Sequence, residues 1–122
     1  PGLVAPVTAD TPFKCEELWA AAIGNDVARI TELVASGLDV NCRDPVTSET
    51  PLIGSSGGSV DAVRTLLLLG ADVNARSKGG STALGRAVQL EQRLRTASPR
   101  FENLRRRVEE TVRLLRQAGG TE

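Results

Sequence analysis

The sequence contains no histidine, no tyrosine and no methionine, and its only aromatic residues are Phe13, Trp19 and Phe101. The missing imidazole excludes His-based acid–base chemistry and the common zinc-ligand patterns. With so few aromatics, the core must be built from Leu, Val, Ile and Ala, which are helix-packing residues. No apolar run approaches the ~20 residues needed to cross a bilayer. The N-terminus lacks the charged-then-apolar layout of a signal peptide. Fifteen basic residues balance fifteen acidic ones, so no global field directs the chain to nucleic acid or to a membrane. Cysteine is scarce as well. Cys15 and Cys42 are expected to be small buried hydrophobes, as thiols in a reducing, cytoplasmic compartment. The lack of Met and the start at Pro1-Gly2 fit either a removed initiator or a piece of a longer protein. What remains is 122 residues with 40% hydrophobic content, enough for one domain with a single core.

That material repeats itself. Gly37-Leu38-Asp39-Val40-Asn41 recurs as Gly70-Ala71-Asp72-Val73-Asn74, a period of 33. Upstream of each copy lies one apolar stripe at i, i+3, i+4: Ile30, Leu33 and Val34, then Val63, Leu66 and Leu67. Each of these helices should stop at its Gly, which takes a left-handed C-cap without penalty. A third copy reads Val108, Thr111, Val112, Leu115 and Gly119. Preceding helices are announced by Thr50-Pro51-Leu52, with a hydroxyl at the N-cap and proline at the first helical position, and by Thr82-Ala83-Leu84. Leu18-Trp19-Ala20-Ala21-Ala22 supplies the first copy. The unit is helix, turn, helix, Gly stop and extended loop.

A 33-residue period carrying T-P-L and G-A-D-V-N resembles the ankyrin repeat, over roughly residues 16 to 120. The resemblance implies an all-α solenoid of stacked helix-turn-helix repeats with β-hairpin-like loops, or fingers, between them. No single helix pair can bury its stripe alone, so about three are needed for a stable stack. The expected division is an extension over residues 1–15, then repeats over 16–42, 43–75 and 76–120 within a domain of residues 16–122. Leu3, Val4, Val7 and Phe13 of the extension could cover the exposed end of repeat 1; a disordered tag is the other reading.

Two departures stand out. Gly54-Ser55-Ser56-Gly57-Gly58 replaces the usual end of the inner helix, so that helix should be short and soft. The stretch also reads as G-x-S-x-G, the hydrolase nucleophile elbow. An elbow needs a strand-to-helix junction and a general base for Ser56; the flanks here are helical and no histidine exists. The last repeat is longer than the period by 16 residues, which fall between Leu90 and Arg107 and break once at Ser98-Pro99. Both of its helices should therefore lengthen into a protruding hairpin, 90–107, with Leu90, Leu94, Phe101, Leu104 and Val108 closing its seam. Residues 86–107 hold seven Arg against Glu91 and Glu102, whereas the first 85 residues hold six basic and ten acidic groups. This is either a solvated helical face or a contact for an acidic partner or a phosphate. Specific nucleic-acid reading is not expected without interleaved aromatics.

The resemblance implies a protein-binding module with no catalytic role, no cofactor and no metal. It places partner contacts on Arg43, Asp44, Val46, Thr47 and Glu49 in one finger, and on Arg76, Ser77, Lys78 and Ser81 in the next. Ile23, Arg86 and Gln89 would contribute from the inner helices. Arg86 shares its slot with Ala20 and Gly54, so it could wall a notch for a partner carboxylate; alternatively it pairs with Glu91. Trp19 is either a packing residue or an exposed hot spot. The chain is expected to act as a monomer on a protein partner that has an acidic contact surface, away from membranes and nucleic acids. The competing expectation is a structural or self-associating regulatory fragment of a larger protein.

Overall fold

Three side chains start three helices by the same device. Asp26, Thr50 and Thr82 each accept a hydrogen bond from a backbone N–H three residues on, at 3.1, 3.3 and 3.0 Å from Arg29, Ile53 and Gly85. Each such bond satisfies a donor that the first helical turn leaves without a partner. In the computed structural model, which describes residues 12–122 and side chains from Cys15 onward, they open α2, α3 and α5. In chain order the helices are α1 (Pro12–Ile23), α2 (Val27–Ala35), α3 (Pro51–Ser55), α4 (Val60–Leu68), α5 (Ala83–Leu94) and α6 (Glu102–Gln117). A 3-10 turn over Pro99–Phe101 precedes α6, and no strand forms among the described residues. The first helix begins inside the stretch assigned to an N-terminal extension. The cap expected from Leu3, Val4, Val7 and Phe13 lies outside the described side chains.

The outer helices end alike. Gly37, Gly70 and Gly119 have φ of +106°, +96° and +91°, and the residue after each donates back to Leu33, Leu66 or Leu115 at 3.2, 2.9 and 2.8 Å. This closure satisfies a terminal carbonyl and requires the left-handed conformation that glycine adopts freely. The three segments lie side by side: α2 packs on α4 and α4 on α6, while α1, α3 and α5 form the inner row. Leu18, Ile30, Leu52, Val63, Leu66, Leu84, Val112 and Leu115 form one continuous core between the rows.

The asparagine of each G-x-D-x-N motif joins one repeat to the next. Asn41 accepts from the Asp72 N–H at 2.7 Å and donates to the Gly70 carbonyl at 3.4 Å. Asn74 accepts from the Thr121 N–H at 2.8 Å and donates to the Gly119 carbonyl at 3.3 Å. The preceding aspartates, Asp39 and Asp72, accept from the asparagine N–H groups at 2.8 and 3.0 Å and hold each loop in the shape that aims the amide forward.

Three expectations are corrected here. Cys15 and Cys42 are not separate thiols: they form a disulfide between α1 and the loop after α2, with Cα atoms 5.9 Å apart. Phe101 does not close the hairpin seam but stands exposed at the tip, its ring 5.0 Å from the Arg100 guanidinium carbon. The hairpin is also less free than a spur. Relative to its terminal Gly, α6 starts seven residues earlier than α2 or α4, roughly 10 Å of helix. That added length begins over the glycine-rich turn of repeat 2. A β-carbon on Gly58 would lie 3.3 Å from Leu104 and 3.6 Å from Val108, so the bare turn receives the hairpin's base.

Candidate partner-binding surface

The loops between repeats fold into two fingers, over residues 43–49 and 76–81. Each is a closed turn rather than a strand pair. In the first, the Asp44 N–H donates to the Glu49 carbonyl at 2.9 Å; in the second, the Ser77 N–H donates to Ser81 at the same distance. The Asp44 carboxylate accepts from the N–H groups of Val46 and Thr47 at 2.9 and 2.8 Å. The backbone N–H of Thr47, then that of Val46, holds this carboxyl below the ordinary aspartate range. The fingers are also tied together. Lys78 N–H donates to the Thr47 carbonyl at 2.8 Å, and one Arg43 nitrogen donates to Ser48 and Arg76 carbonyls at 2.9 and 2.7 Å. Arg76 repeats the device on its own finger, donating to Gly80 at 2.8 Å.

Between the fingers and α5 lies an open hollow of about 410 Å³, lined by Val46, Thr47, Glu49, Ser77, Lys78, Ser81 and Arg86. Val46 is 75% exposed at the tip, and Lys78 makes no ion pair among the described residues. A second hollow of about 340 Å³ runs between α3 and α5 and shares Arg86 as its wall. Gln89 lines this one. Arg43, Asp44 and Arg76 act on the backbone of the fingers, and Ile23, although exposed, lines neither hollow.

Sequence reasoning missed what Arg86 does. Its guanidinium is held by the Glu49 carboxylate, not by Glu91, which faces Arg95 at 4.0 Å. Glu49 is correspondingly buried, so it supports the surface from beneath and is no fingertip. The notch beside Arg86 is also narrowed from the Gly54 side, where Trp19 fills the space that a side chain would take. Trp19 is half-buried and packs against α3, and its indole N–H is buried with no acceptor among the described residues. The one signal for the Glu49–Arg86 pair was opposite charge at matching ends of two elements, which a 33-residue period does not single out from other charges.

The Ser56 hydroxyl is buried and donates to the Ile53 carbonyl at 2.6 Å, on helical flanks. Among the described residues no group of His, Cys, Asp and Glu is arranged to hold a metal ion, and no helix is long and apolar enough to cross a membrane.

Comparison with known proteins agrees with this geometry. The sequence profile of the ankyrin repeat matches residues 48–78. The chain is 40% identical over 66 residues to ankyrin repeat domain-containing protein 29 of Homo sapiens, covering 53% of this chain and 22% of that protein. It is 41% identical over 61 residues to SH3 and multiple ankyrin repeat domains protein 1 of Homo sapiens, covering 48% of this chain and 3% of that one. The chain is an ankyrin-repeat protein. Its fold is similar to the solved ankyrin repeat domain of human ASB11, with a TM-score of 0.66 at 24% identity over 85% of this chain and 40% of that one. The matches thus span under a quarter of the length of those two relatives. Ankyrin repeats are generally protein–protein interaction modules and typically not enzymes.

Proposed function

We propose that this chain binds a partner protein on the concave surface made by its two fingers and the inner face of α5, acting as a monomer and performing no catalysis; the Cys15–Cys42 disulfide favours an oxidising compartment over the reducing cytoplasm expected from free thiols. The observation that carries this reading is the cross-tied finger pair. Arg43, Arg76 and the Lys78–Thr47 bond hold the two loops in place, presenting exposed Val46 beside Lys78, which makes no ion pair among the described residues. A preformed hollow loses little entropy when a partner docks, so modest contacts suffice for affinity. Asp44, Arg43 and Arg76 serve by shaping the fingers, whereas Val46, Lys78, Ser77 and Gln89 are placed to touch the partner.

The test is a side-by-side affinity capture from native lysate with wild type, a Val46→Asp/Lys78→Glu fingertip variant and an Arg113→Glu variant on α6. Proteins held by wild type and by the α6 variant but lost by the fingertip variant support the reading. Capture indifferent to the fingertips would overturn it, as would sedimentation showing that the fingertips are consumed in a homo-oligomer.

A further inference from the structure

This inference rests on the protein-binding reading above and concerns the second hollow, between α3 and α5. Arg93 stands seven positions after Arg86, two turns along the same face of α5. The two arginines differ in one respect. Arg86 is answered by Glu49, whereas the Arg93 guanidinium makes no ion pair and no hydrogen bond among the described residues. The nearby acids of the hairpin are committed elsewhere: Glu91 to Arg95, and Glu102 to Arg105 and Arg106. Between the arginines the hollow is mixed, with Gln89 and Ser56 beside an aliphatic patch. Ile53 and Leu90 line it, and Leu90 lies where a β-carbon on Gly57 would meet it at 3.8 Å. Residues 86–107 carry seven Arg against two Glu, so the surrounding potential adds to the charge of Arg93.

We infer that this hollow takes a segment of the partner protein in which an Asp or Glu adjoins an aliphatic residue. The carboxylate meets the Arg93 guanidinium, whose planar fork accommodates two carboxylate oxygens, and the aliphatic side chain rests on Leu90 beside the bare Gly57 turn. A phosphate polymer is the poorer occupant. The hollow offers no aromatic face on which a base could stack and only one arginine without a counter-ion among the described residues, where a charged backbone would need several cations in line.

A random-peptide display library selected on the full chain tests this. Enriched peptides should carry Asp or Glu next to Leu, Ile or Val. Synthesised singly, they should bind Arg93→Glu at least roughly tenfold more weakly than wild type, and Arg106→Glu within about twofold. Replacing the peptide's acid by Lys should lower binding to wild type and restore it to Arg93→Glu, a charge swap that a merely structural role for Arg93 would not produce. Enriched peptides without acidic bias, or binding indifferent to Arg93→Glu, would overturn the inference while leaving the fingers as a binding surface. An oligonucleotide or phosphopeptide that displaces the selected peptides at lower concentration would also overturn it. A selection that yields no binder at all would reject the binding reading and this inference together.

Discussion

A β-carbon on Gly54 would stand 2.7 Å from the indole nitrogen of Trp19. The glycine is therefore present for close approach, letting the Trp19 indole lie directly on the backbone of α3. Alanine at this position would gain about 1 kcal/mol of helix propensity and lose more to the collision, for a net destabilisation of roughly 1–3 kcal/mol. Trp19→Phe, which removes the nitrogen, should reduce that penalty. Urea unfolding of both single variants and the double variant measures the coupling; strictly additive values would mean the two residues do not touch.

Gly57 and Gly58 are adjacent but should respond oppositely to alanine. Gly58 has φ of +118° and faces Leu104 at 3.3 Å, so Gly58→Ala strains the backbone and pushes the hairpin off its seat. A loss of roughly 1–3 kcal/mol is expected. At Gly57 the added methyl meets Leu90 at an ordinary 3.8 Å, so Gly57→Ala should be neutral or stabilising by up to about 1 kcal/mol. Thermal melts of the two variants decide, and equal effects would contradict this packing.

Closing the Cys15–Cys42 bond ties α1 to the loop after α2 across 27 positions. By chain entropy, a loop of that length stabilises the folded state by roughly 3.5 kcal/mol. Reduction, or the Cys15→Ser/Cys42→Ser variant, should lower the unfolding midpoint accordingly, with repeat 1 losing amide protection first. Free-thiol titration of the purified native protein checks the premise directly: two reactive thiols after denaturation without reductant would show the bond unformed.

The Asp44 carboxyl is held below the ordinary aspartate range because Thr47 and Val46 donate to its charged form. A lowered folded pKa means that this contribution is present above the unfolded value near ~3.9 and is lost as pH falls through the lower folded value. The first finger should thus stay closed through mild acid. Carbon-detected NMR titration should give Asp44 a midpoint below that of a random-coil aspartate, with the Val46 and Thr47 amides moving together with it. A midpoint at the ordinary value would remove the carboxylate from the finger's hydrogen bonding.

The repeat, its three Gly stops and its threonine caps were legible because each is a local rule restated at a constant interval. The relations between departures were not. The short inner helix of repeat 2 and the long hairpin of repeat 3 look like independent irregularities in the chain, yet Leu104 and Val108 lie over Gly58 as one fitted pair. The Glu49–Arg86 pair escaped for a similar reason: 37 positions separate its members, and nothing in either sequence neighbourhood indicates the other. Reading Cys15 and Cys42 as thiols followed from general cysteine usage, which is blind to two particular side chains meeting. Charge polarity along the chain was visible from the residues, but which arginine remains without a counter-ion depended on rotamers.

Asn41 and Asn74 each reach one loop forward with the same short amide. The pitch of the stack is thereby set by a side chain only two bonds long, and it does not depend on what the fingers carry at their ends. Val46 and Lys78 could be exchanged for other residues and the distance between them would persist. A ligand must therefore arrive with its contact points already spaced to suit; specificity can be rewritten here letter by letter, but the line spacing stays the same.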